Sequence, residues 1–278
     1  MHILERLCIA IRHNVHLKQA DWVWNRARVP YNLLAAKLGK NGLRRNINGT
    51  DVIRICPTNR DIPETYEPEV WAQVMNDVQC GDFVVDVGSY IGLYSIAIAK
   101  RVGPSGHVFA LEPDPQSFTV LRKHCLLNGV SERVTPIRAA AGDVDSTVNF
   151  VTGRGSESHA TQVPGIDSVP TTGLRLDTAL ANKRADIMKI DVEGYEEAVL
   201  RGCNELLQDP GRKPRSIYIE VHPYAWSSVG TTSDSLLSLL AHHGYEVWDL
   251  QGRLVTHIGS YGEIIARSRG HWRAHEVA

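Results

Sequence analysis

The chain has 278 residues, of which 43% are hydrophobic and 22% are charged, a composition typical of a soluble globular protein. Its 30 basic residues nearly balance its 31 acidic ones, which argues against a nucleic-acid-binding protein, since those usually carry a basic excess. No apolar run approaches the ~18 residues that span a bilayer, so stable membrane insertion is not expected.

Five cysteines are spread along the chain, and no two of them have the C-x-x-C spacing of a zinc or redox site. Their odd number, together with the lack of a recognisable secretory signal, predicts a protein of the reducing cytoplasm whose thiols are mostly buried. These residues are Cys8, Cys56, Cys80, Cys125 and Cys203.

Residues 1–66 are predicted to form an N-terminal extension of helices with one short strand near Val52 to Cys56. Apolar residues recur at near-helical spacing from Ile3 to Val15, which predicts an amphipathic helix. Such a helix could pack on the main domain or across a homodimer, or it could bind weakly to a membrane surface. The sequence leaves these alternatives open.

The middle of the chain alternates short β-branched runs with helical stretches, a pattern that predicts βαβ units and a parallel sheet. A first buried strand is predicted at Phe83 to Val87, followed by a helix that ends at Gly103-Pro104. A second strand is predicted at His107 to Leu111, followed by a helix from Pro115 to the Asn128-Gly129 stop.

The second half of the chain continues this alternation, with helices predicted at Tyr195 to Gly202 and at Ser233 to Gly244. Residues 153–173 are rich in Gly, Ser, Thr and Pro, and we interpret them either as a mobile flap beside a functional site or as a plain surface loop. The further strands are predicted at Arg133 to Arg138, Thr147 to Val151, Ala185 to Asp191, Ser216 to Val221, Tyr245 to Leu250 and Glu263 to Ala266.

The first strand leads into a glycine loop, Asp86-x-Gly88-x-x-x-Gly92, and the second strand ends at Glu112. In an open α/β sheet, ligands bind beyond the carboxyl ends of the strands, where the strand order reverses. Glycines let the chain turn tightly there. Glu112 lies 24 residues after Gly88, close to the ~20 expected of an acid that binds ribose hydroxyls. The segment therefore predicts a nucleoside cofactor site.

Two kinds of cofactor use this geometry, and the residues between the glycines distinguish them. A dinucleotide needs G-x-G-x-x-G, because the middle glycine lets the pyrophosphate reach the helix N-terminus. Here Ser89-Tyr90-Ile91 separates the two glycines. S-adenosylmethionine carries no phosphate, and its sulfonium cation would suit Asp86 and a nearby ring, Tyr90 or Tyr94. The pattern favours S-adenosylmethionine over a nicotinamide dinucleotide.

Seven segments between residues 66 and 250 occur in a recognisable order: DVGSYIGLYSIAIAK, ALEPDP, LNG, AAGD, LRLDTAL, IMKIDVEGYEEAVLRG and IYIEVHP. This order resembles the FkbM family of methyltransferases, and the KIDVEG block is its most specific part. One departure is Ser89-Tyr90, where the family more often has Ala-Asn.

The resemblance implies a class I methyltransferase fold, an α/β Rossmann-like sheet that is mostly parallel with an antiparallel final strand. It also implies S-adenosylmethionine as cofactor and O-methylation of a hydroxyl on a sugar, glycolipid or polyketide-type acceptor. Residues 67–270 would form the catalytic domain and residues 271–278 a tail. The sequence does not identify the acceptor molecule.

The resemblance also assigns residues to the cofactor. Asp143, in Ala141-Gly142-Asp143, would lie near the adenine amino group, or it is only an aspartate in a turn after glycine. Glu112 would hold the ribose. The glycine loop would contribute Asp86, Gly88, Ser89, Tyr90 and Gly92.

Four polar residues lie at the ends of the fourth and fifth strands, Asp191 with Glu193 and Glu220 with His222. Residues i and i+2 of a strand point the same way, so each pair could face one cleft. A sugar hydroxyl is a poor nucleophile that gains from a general base or from a metal. We favour His222 or Asp191 as the base, with the other carboxylates orienting it. Alternatively, Asp191, Glu220 and His222 could bind Mg²⁺.

Two other functions use the same features. A nicotinamide-dependent oxidoreductase has the same kind of sheet, although the missing middle glycine argues against it. A non-catalytic cofactor-binding scaffold would use its N-terminal helices to bind a partner or a membrane surface. The remaining histidines, the His242-His243 pair included, are predicted to be solvated positions on helices.

Overall fold

A computed structural model of the protein describes residues 41–152, 160–161 and 168–269. The predicted N-terminal amphipathic helix, the tail and most of the 153–173 segment lie outside these residues. The chain divides into two compact units, Met1–Tyr66 and Glu67–Ala278. No helix within the described ranges is long and apolar enough to cross a bilayer.

The described part of the first unit is an antiparallel hairpin of β1 (Leu43–Ile47) and β2 (Asp51–Ile55). Its turn contains Asn48 and Gly49, with φ of 51° and 75°, residues that tolerate the left-handed conformation. A 3-10 turn at Pro57–Asn59 follows. The strand predicted near Val52 is therefore present, while its partner β1 was not predicted.

The second unit contains the remaining strands and all eight described α-helices. The strands are β3 (Phe83–Val87), β4 (His107–Leu111), β5 (Val134–Ile137), β6 (Ala140–Ala141), β7 (Thr147–Val151), β8 (Ala160–Thr161), β9 (Ser168–Leu174), β10 (Ile187–Ile190), β11 (Ser216–Val221), β12 (Tyr245–Asp249) and β13 (Gly262–Ser268). The helices are α1 (Pro68–Asp77), α2 (Leu93–Arg101), α3 (Pro115–Leu127), α4 (Leu176–Leu180), α5 (Glu196–Arg201), α6 (Asn204–Gln208), α7 (Pro223–Trp226) and α8 (Ser233–His242).

Seven strands form the central sheet in the order β12-β13-β11-β10-β3-β4-β5. Five of them, from β11 to β5, pair in parallel, whereas β13 is antiparallel to both of its neighbours. This confirms the mostly parallel sheet with an antiparallel final strand. The strand order reverses between β3 and β10, so the loops after these two strands meet at the switch point where such folds bind ligands.

The predicted flap or loop at residues 153–173 is wrong for its last part. Residues 168–173 belong to β9, whose residues 168–172 pair antiparallel with β7 and whose residues 173–174 pair in parallel with β6, and residues 160–161 form β8. The β-branched Val169, Thr171 and Thr172 favour a strand here, and the prediction gave too much weight to Pro170 and Gly173. Together with β8, these strands make a separate four-stranded sheet.

The core of the second unit follows from the apolar central strands. Every residue of β10 and β11 is buried, as expected for the middle of a parallel sheet. Helix α2 adds Ile96, Ala97 and Ile98, all completely buried. Within these apolar strands, Lys189 and Glu220 stand out because charged side chains are seldom buried without a partner. Both belong to the site described next.

Candidate active site

Gly88 fixes the close approach of two strand ends at the switch point. Its φ is +81°, and a Cβ built on it would lie 1.7 Å from the carbonyl oxygen of Asp191. The Asp191 N–H donates to the Val87 carbonyl at 3.0 Å, which ties the end of β10 to the end of β3. Only glycine fits at this position, so the cofactor motif and the KIDVEG motif are in direct contact.

The rest of the glycine loop is held by hydrogen bonds and packing. The Ser89 hydroxyl, which is buried, donates to the carbonyls of Asp86 and Leu111 at 2.8 and 3.2 Å. Gly92 has a φ of +85°, and a Cβ there would lie 2.3 Å from Leu121 Cδ1. Ser89 and Gly92 therefore shape the loop, and Tyr90, half-buried with a φ of +48°, is the large side chain left at its tip.

His124 supports the loop from below and corrects the prediction of solvated histidines. It is fully buried on α3, and its Nδ1–H donates to the Ile91 carbonyl at 2.8 Å. Burial lowers the pKa of His124 to about 4, so the ring is neutral. His243 is also buried. Neither burial could be predicted from local sequence.

Glu112 is held with both carboxyl oxygens on backbone donors. Oε2 accepts from the Tyr90 N–H at 2.7 Å and Oε1 from the Asp114 N–H at 2.8 Å. Burial raises the pKa of Glu112 to about 8, although these two N–H groups act in the opposite direction. Each carboxylate oxygen has a second lone pair, so Glu112 can accept two further hydroxyl donors beside the glycine loop.

Asp86 and Tyr94, which the sequence offered to a sulfonium, have other partners in the structure. The Asp86 carboxylate is buried and accepts from the hydroxyl of Ser95 on α2. The Tyr94 ring lies 4.7 Å from the ring of Trp71, and the ammonium of Lys189 lies 4.8 Å from its centroid. Because Lys189 already occupies the face of the Tyr94 ring, that ring is not available to a sulfonium. Of the two candidate rings, Tyr90 on the glycine loop remains.

Lys189 and Asp191 form a buried ion pair at the end of β10. Lys189 Nζ lies 3.2 Å from Asp191 Oδ2, and the Lys189 side chain is 4% exposed against 26% for Asp191. Burial raises the pKa of Asp191 to about 6, and the nearby ammonium limits that rise. Burial alone would lower the pKa of Lys189, but Asp191 raises it above its ordinary value. Asp191 is thus a partly accessible carboxylate that titrates near neutral pH.

His222 lies in a cage of carboxylates. Its Nδ1–H donates to Glu196 Oε1 at 2.7 Å, while Nε2 lies 3.5 Å from Glu193 Oε2 and 3.7 Å from Glu220 Oε1. Burial alone would lower the pKa of His222, yet Glu196 and Glu220 raise it to about 10. A ring protonated at neutral pH donates from both nitrogens and is a poor general base.

Glu196 anchors this cage from below. It is fully buried, and besides His222 it accepts from the Gly194 N–H at 2.8 Å and from Trp226 Nε1 at 2.7 Å. Glu193, which precedes it, has a φ of +52° and accepts from the Tyr224 hydroxyl at 2.7 Å. The Glu193 carboxylate therefore lies on the same side as the His222 ring, 3.5 Å from its Nε2.

A second carboxylate group adjoins the first through Glu220. Oxygen atoms of Glu67, Glu220 and Glu263 lie within 4.8 Å of one another. Glu67 also accepts from the Tyr94 hydroxyl at 2.9 Å, and Glu220 accepts from the Tyr261 hydroxyl. Burial raises the pKa of Glu263 to about 8, with the neighbouring carboxylates adding to it. The cleft is therefore lined by carboxyl groups, and that of Glu263 holds its proton at neutral pH.

Two of the three residues predicted as metal ligands, Asp191 and His222, belong to a group of side chains that could hold a metal ion. Donor atoms of Asp191, Glu193 and His222 lie within 4.8 Å of one another, so Glu193 replaces Glu220 in the predicted trio. These are oxygen and imidazole donors, which a hard divalent ion accepts. However, Nδ1 of His222 is already bound to Glu196, and Nε2 faces two carboxylates rather than an open position.

Asp143 follows the short strand β6. It is exposed, and the backbone of Gly142 and Asp143 packs against Gly202, just past the end of α5. Since α5 begins beside the cleft, Gly202 lies at the far end of that helix. The role of Asp143 at the adenine stays a prediction.

Sequence reasoning missed several residues of this site: Glu67, Lys189, Glu196, Tyr224, Tyr261 and Glu263. A lysine inside the apolar strand Ile187–Ile190 was the one available signal, because a buried lysine needs a partner. Glu263 gave no signal, since only the pairing of β13 with β11 places it opposite Glu220.

The fold and this site define a class I methyltransferase, with the strand order and the glycine loop of that class. The Methyltransferase FkbM domain matches residues 86–247, more than half of the sequence. The chain belongs to the FkbM methyltransferase family.

Curated relatives match at low identity. Hexuronic acid methyltransferase AglP of Haloferax volcanii is 26% identical over 161 residues, covering 56% of this chain and 62% of that protein. Methyltransferase sdnD of Sordaria araneosa is 28% identical over 158 residues, covering 44% and 61%. AMB antimetabolite synthetase AmbE of Pseudomonas aeruginosa is 27% identical over 208 residues, covering 59% and 9%. The chain spans less than two thirds of the length of each.

Solved structures of methyltransferases are also similar. The S-adenosylmethionine-dependent O-methyltransferase from Thermotoga maritima has a TM-score of 0.44 at 18% identity, covering 76% of this chain and 69% of that one. A S-adenosylmethionine-dependent methyltransferase from Aquifex aeolicus has a TM-score of 0.43 at 16% identity, covering 75% and 94%.

Proposed function

We propose that this protein is an S-adenosylmethionine-dependent O-methyltransferase that acts on a hydroxyl of a sugar, glycolipid or polyketide-type acceptor. The observation that carries the proposal is the contact between Gly88 and Asp191, because it sets a carboxylate that titrates near neutral pH directly beside the cofactor loop. Membership of the FkbM family supports methyl transfer. A relative named for hexuronic acid supports a sugar acceptor.

The residues at the ends of β3 and β4 suit S-adenosylmethionine. Glu112, anchored by two backbone N–H groups, offers lone pairs for both ribose hydroxyls. Tyr90, on the loop tip, offers a ring face, and the surrounding carboxylates favour a cation such as the sulfonium. A dinucleotide motif needs a glycine between Gly88 and Gly92 so that the pyrophosphate can approach the backbone, and this chain has Ser89-Tyr90-Ile91 there. This difference disfavours a nicotinamide cofactor.

Asp191 is the general base in this proposal. When bound, the cofactor supplies an electrophilic methyl group, and the acceptor oxygen bonds to that carbon as the carbon–sulfur bond breaks. Asp191 accepts the hydroxyl proton, which makes the oxygen a better nucleophile. A pKa of about 6 leaves Asp191 ionised at pH 7 yet close enough to neutrality to accept a proton. His222, held protonated, orients Glu193 and Glu220 instead.

Lys189 supplies positive charge beside this base. Its ammonium lies 3.2 Å from the Asp191 carboxylate and keeps that carboxylate ionised in a buried setting. A metal would supply the same charge, and Asp191, Glu193 and His222 are the candidate ligands for Mg²⁺. We favour the base without a metal because the ammonium is already in place, so EDTA is expected to leave the rate unchanged.

Transfer of a tritiated methyl group from S-adenosylmethionine to a panel of glycosides and polyketide alcohols tests the proposal. Asp191→Asn is expected to lower kcat by ~10²-fold or more, as removal of a general base does. The Kd for S-adenosylhomocysteine is expected to stay within about threefold. Asp234→Asn, which changes an exposed acid on α8, is the matched control and should keep full activity. An Asp191→Asn protein as fast as wild type would refute the assignment of the base.

A further inference from the structure

Tyr224 and Tyr261 are the exposed large aromatic residues in the part of the chain that the structure describes. They are 68% and 60% exposed, whereas the other described aromatic side chains are buried or half-buried. Tyr224 lies on α7 and Tyr261 directly before β13, so two separate elements bring them to one place. Exposure of this kind at a cleft is typical of a ligand surface.

The rings of both tyrosines lie next to the buried imidazole of His222. Their ring centroids lie 5.8 and 5.4 Å from the imidazole of His222, which is itself 1% exposed. The two rings therefore flank the same buried group and lie within reach of one sugar-sized ligand. The carboxylates of Glu193 and Glu220, which face His222, lie beneath them.

Hydrogen bonds fix both rings in place. The Tyr224 hydroxyl donates to Glu193 at 2.7 Å, and the Tyr261 hydroxyl donates to Glu220. An aromatic ring whose polar end is anchored loses little conformational entropy when it binds a ligand. The C–H faces of a pyranose are apolar and suit such rings, while its hydroxyls suit the carboxylates beneath.

The charge around the cleft restricts which ring can enter. Among the described residues, six carboxyl groups and two basic side chains meet there, and both basic groups are already paired with carboxylates. A ligand carboxylate would meet like charge in a partly desolvated cleft, which is unfavourable. The carboxyl groups belong to Glu67, Asp191, Glu193, Glu196, Glu220 and Glu263, and the basic groups to Lys189 and His222.

We infer that Tyr224 and Tyr261 form the acceptor subsite, and that the acceptor is a pyranose ring without negative charge. This inference rests on the proposed O-methyltransferase function and makes its substrate class narrower. It also distinguishes this chain from the relative that is named for a hexuronic acid, since a uronate carries the carboxylate that this cleft disfavours.

The inference can be tested by titrating sugar probes into the whole chain with S-adenosylhomocysteine in excess. Binding is monitored by saturation-transfer NMR. The three probes are methyl β-D-glucopyranoside, its 2-amino-2-deoxy analogue and methyl β-D-glucopyranosiduronate. The neutral and amino probes are expected to bind, and the uronate at least ~tenfold more weakly at low salt. Tyr224→Ala and Tyr261→Ala should each weaken binding of the neutral probe by about fivefold, and Tyr224→Phe, which keeps the ring, by less.

Three outcomes would overturn the inference. They are uronate binding as tight as neutral binding, alanine variants that bind like wild type, and no binding of any probe at about 50 mM. The same samples separate this failure from failure of the proposed function. A protein that binds S-adenosylhomocysteine but none of the rings loses only the acceptor assignment, whereas a protein that binds no S-adenosylhomocysteine loses the function itself.

Discussion

Lys189 and Asp191 lie two residues apart at the end of β10, with the ammonium 3.2 Å from the carboxylate and the lysine almost fully buried. The ammonium also lies 4.8 Å from the centroid of the Tyr94 ring, which covers it from one side. One pair of residues thus sets the charge of the proposed base.

Replacement of Lys189 by methionine should change the pH dependence of activity. Without the ammonium, the pKa of Asp191 rises above about 6, so the base becomes protonated at higher pH. The acidic limb of the kcat/KM profile should then move to higher pH by roughly one to three pH units. A profile with an unmoved limb in Lys189→Met would show that Asp191 is not the titrating base.

Glu196→Gln should release the proton of His222 at lower pH. The Glu196 carboxylate raises the pKa of His222 to about 10, so its loss lowers that pKa, which NMR of the imidazole can measure. The folded protein binds this proton more tightly than the unfolded chain does. His222 therefore adds stability that is fully present below pH ~6.5 and is lost as pH rises through about 10.

Urea unfolding of Glu196→Gln checks the same contact in a second way. The new amide group faces the N–H of Trp226, which needs an acceptor, so about 1–3 kcal/mol of stability should be lost at pH 7. The loss should shrink toward pH 10, where wild type also loses its imidazolium. Equal losses at both pH values would contradict the buried ion pair.

Gly88→Ala should destabilise the protein far more than Gly129→Ala. Both glycines have positive φ, +81° and +65°, so both pay the left-handed penalty of ~1–2 kcal/mol. Only at Gly88 would the new Cβ collide with a backbone atom, the Asp191 oxygen, whereas nothing lies within 4 Å at Gly129. Urea unfolding should show a difference of at least ~2 kcal/mol between the variants. Similar losses would mean that β3 and β10 do not meet as described.

Cofactor affinity should increase with pH. Burial raises the pKa of Glu112 to about 8, and ribose hydroxyls are bound best by the ionised carboxylate. The Kd for S-adenosylhomocysteine should therefore fall between pH 6.5 and 9, with release of about one proton measured by calorimetry in buffers of different ionisation enthalpy. In Glu112→Gln this pH dependence should disappear. If it persists, another group such as Glu263 is responsible.

The sequence predicted the central sheet, the glycine loop and the acid at Glu112 because each depends on local features: apolar strands, turn glycines and spacing. It also predicted that Asp191, Glu193, Glu220 and His222 would meet, since parallel strands end at one edge. It could not predict protonation. His222 looked like a base, and only the buried Glu196, 26 residues away in the chain, shows why it holds its proton.

Other differences arose where tertiary contacts outweigh local preference. Tyr94 is a candidate partner for the sulfonium by sequence, but in the structure Lys189 covers the face of its ring. Glu67 and Glu263 are far apart in the sequence of the second unit, yet oxygen atoms of both lie within 4.8 Å of an oxygen of Glu220. Ser168–Leu174 reads as a loop by composition, yet its pairing with β7 makes it a strand.

Binding of S-adenosylmethionine by Glu112 and the loop after β3 is the property on which the proposed function depends. Isothermal titration of S-adenosylhomocysteine at about pH 8.5, above the pKa of about 8 for Glu112, tests it most directly. We expect saturable binding that Glu112→Ala weakens at least ~tenfold, since this substitution removes charged hydrogen bonds worth ~1.5–3 kcal/mol each. Absence of binding to the wild-type protein at millimolar ligand, or equal binding by Glu112→Ala, would contradict it.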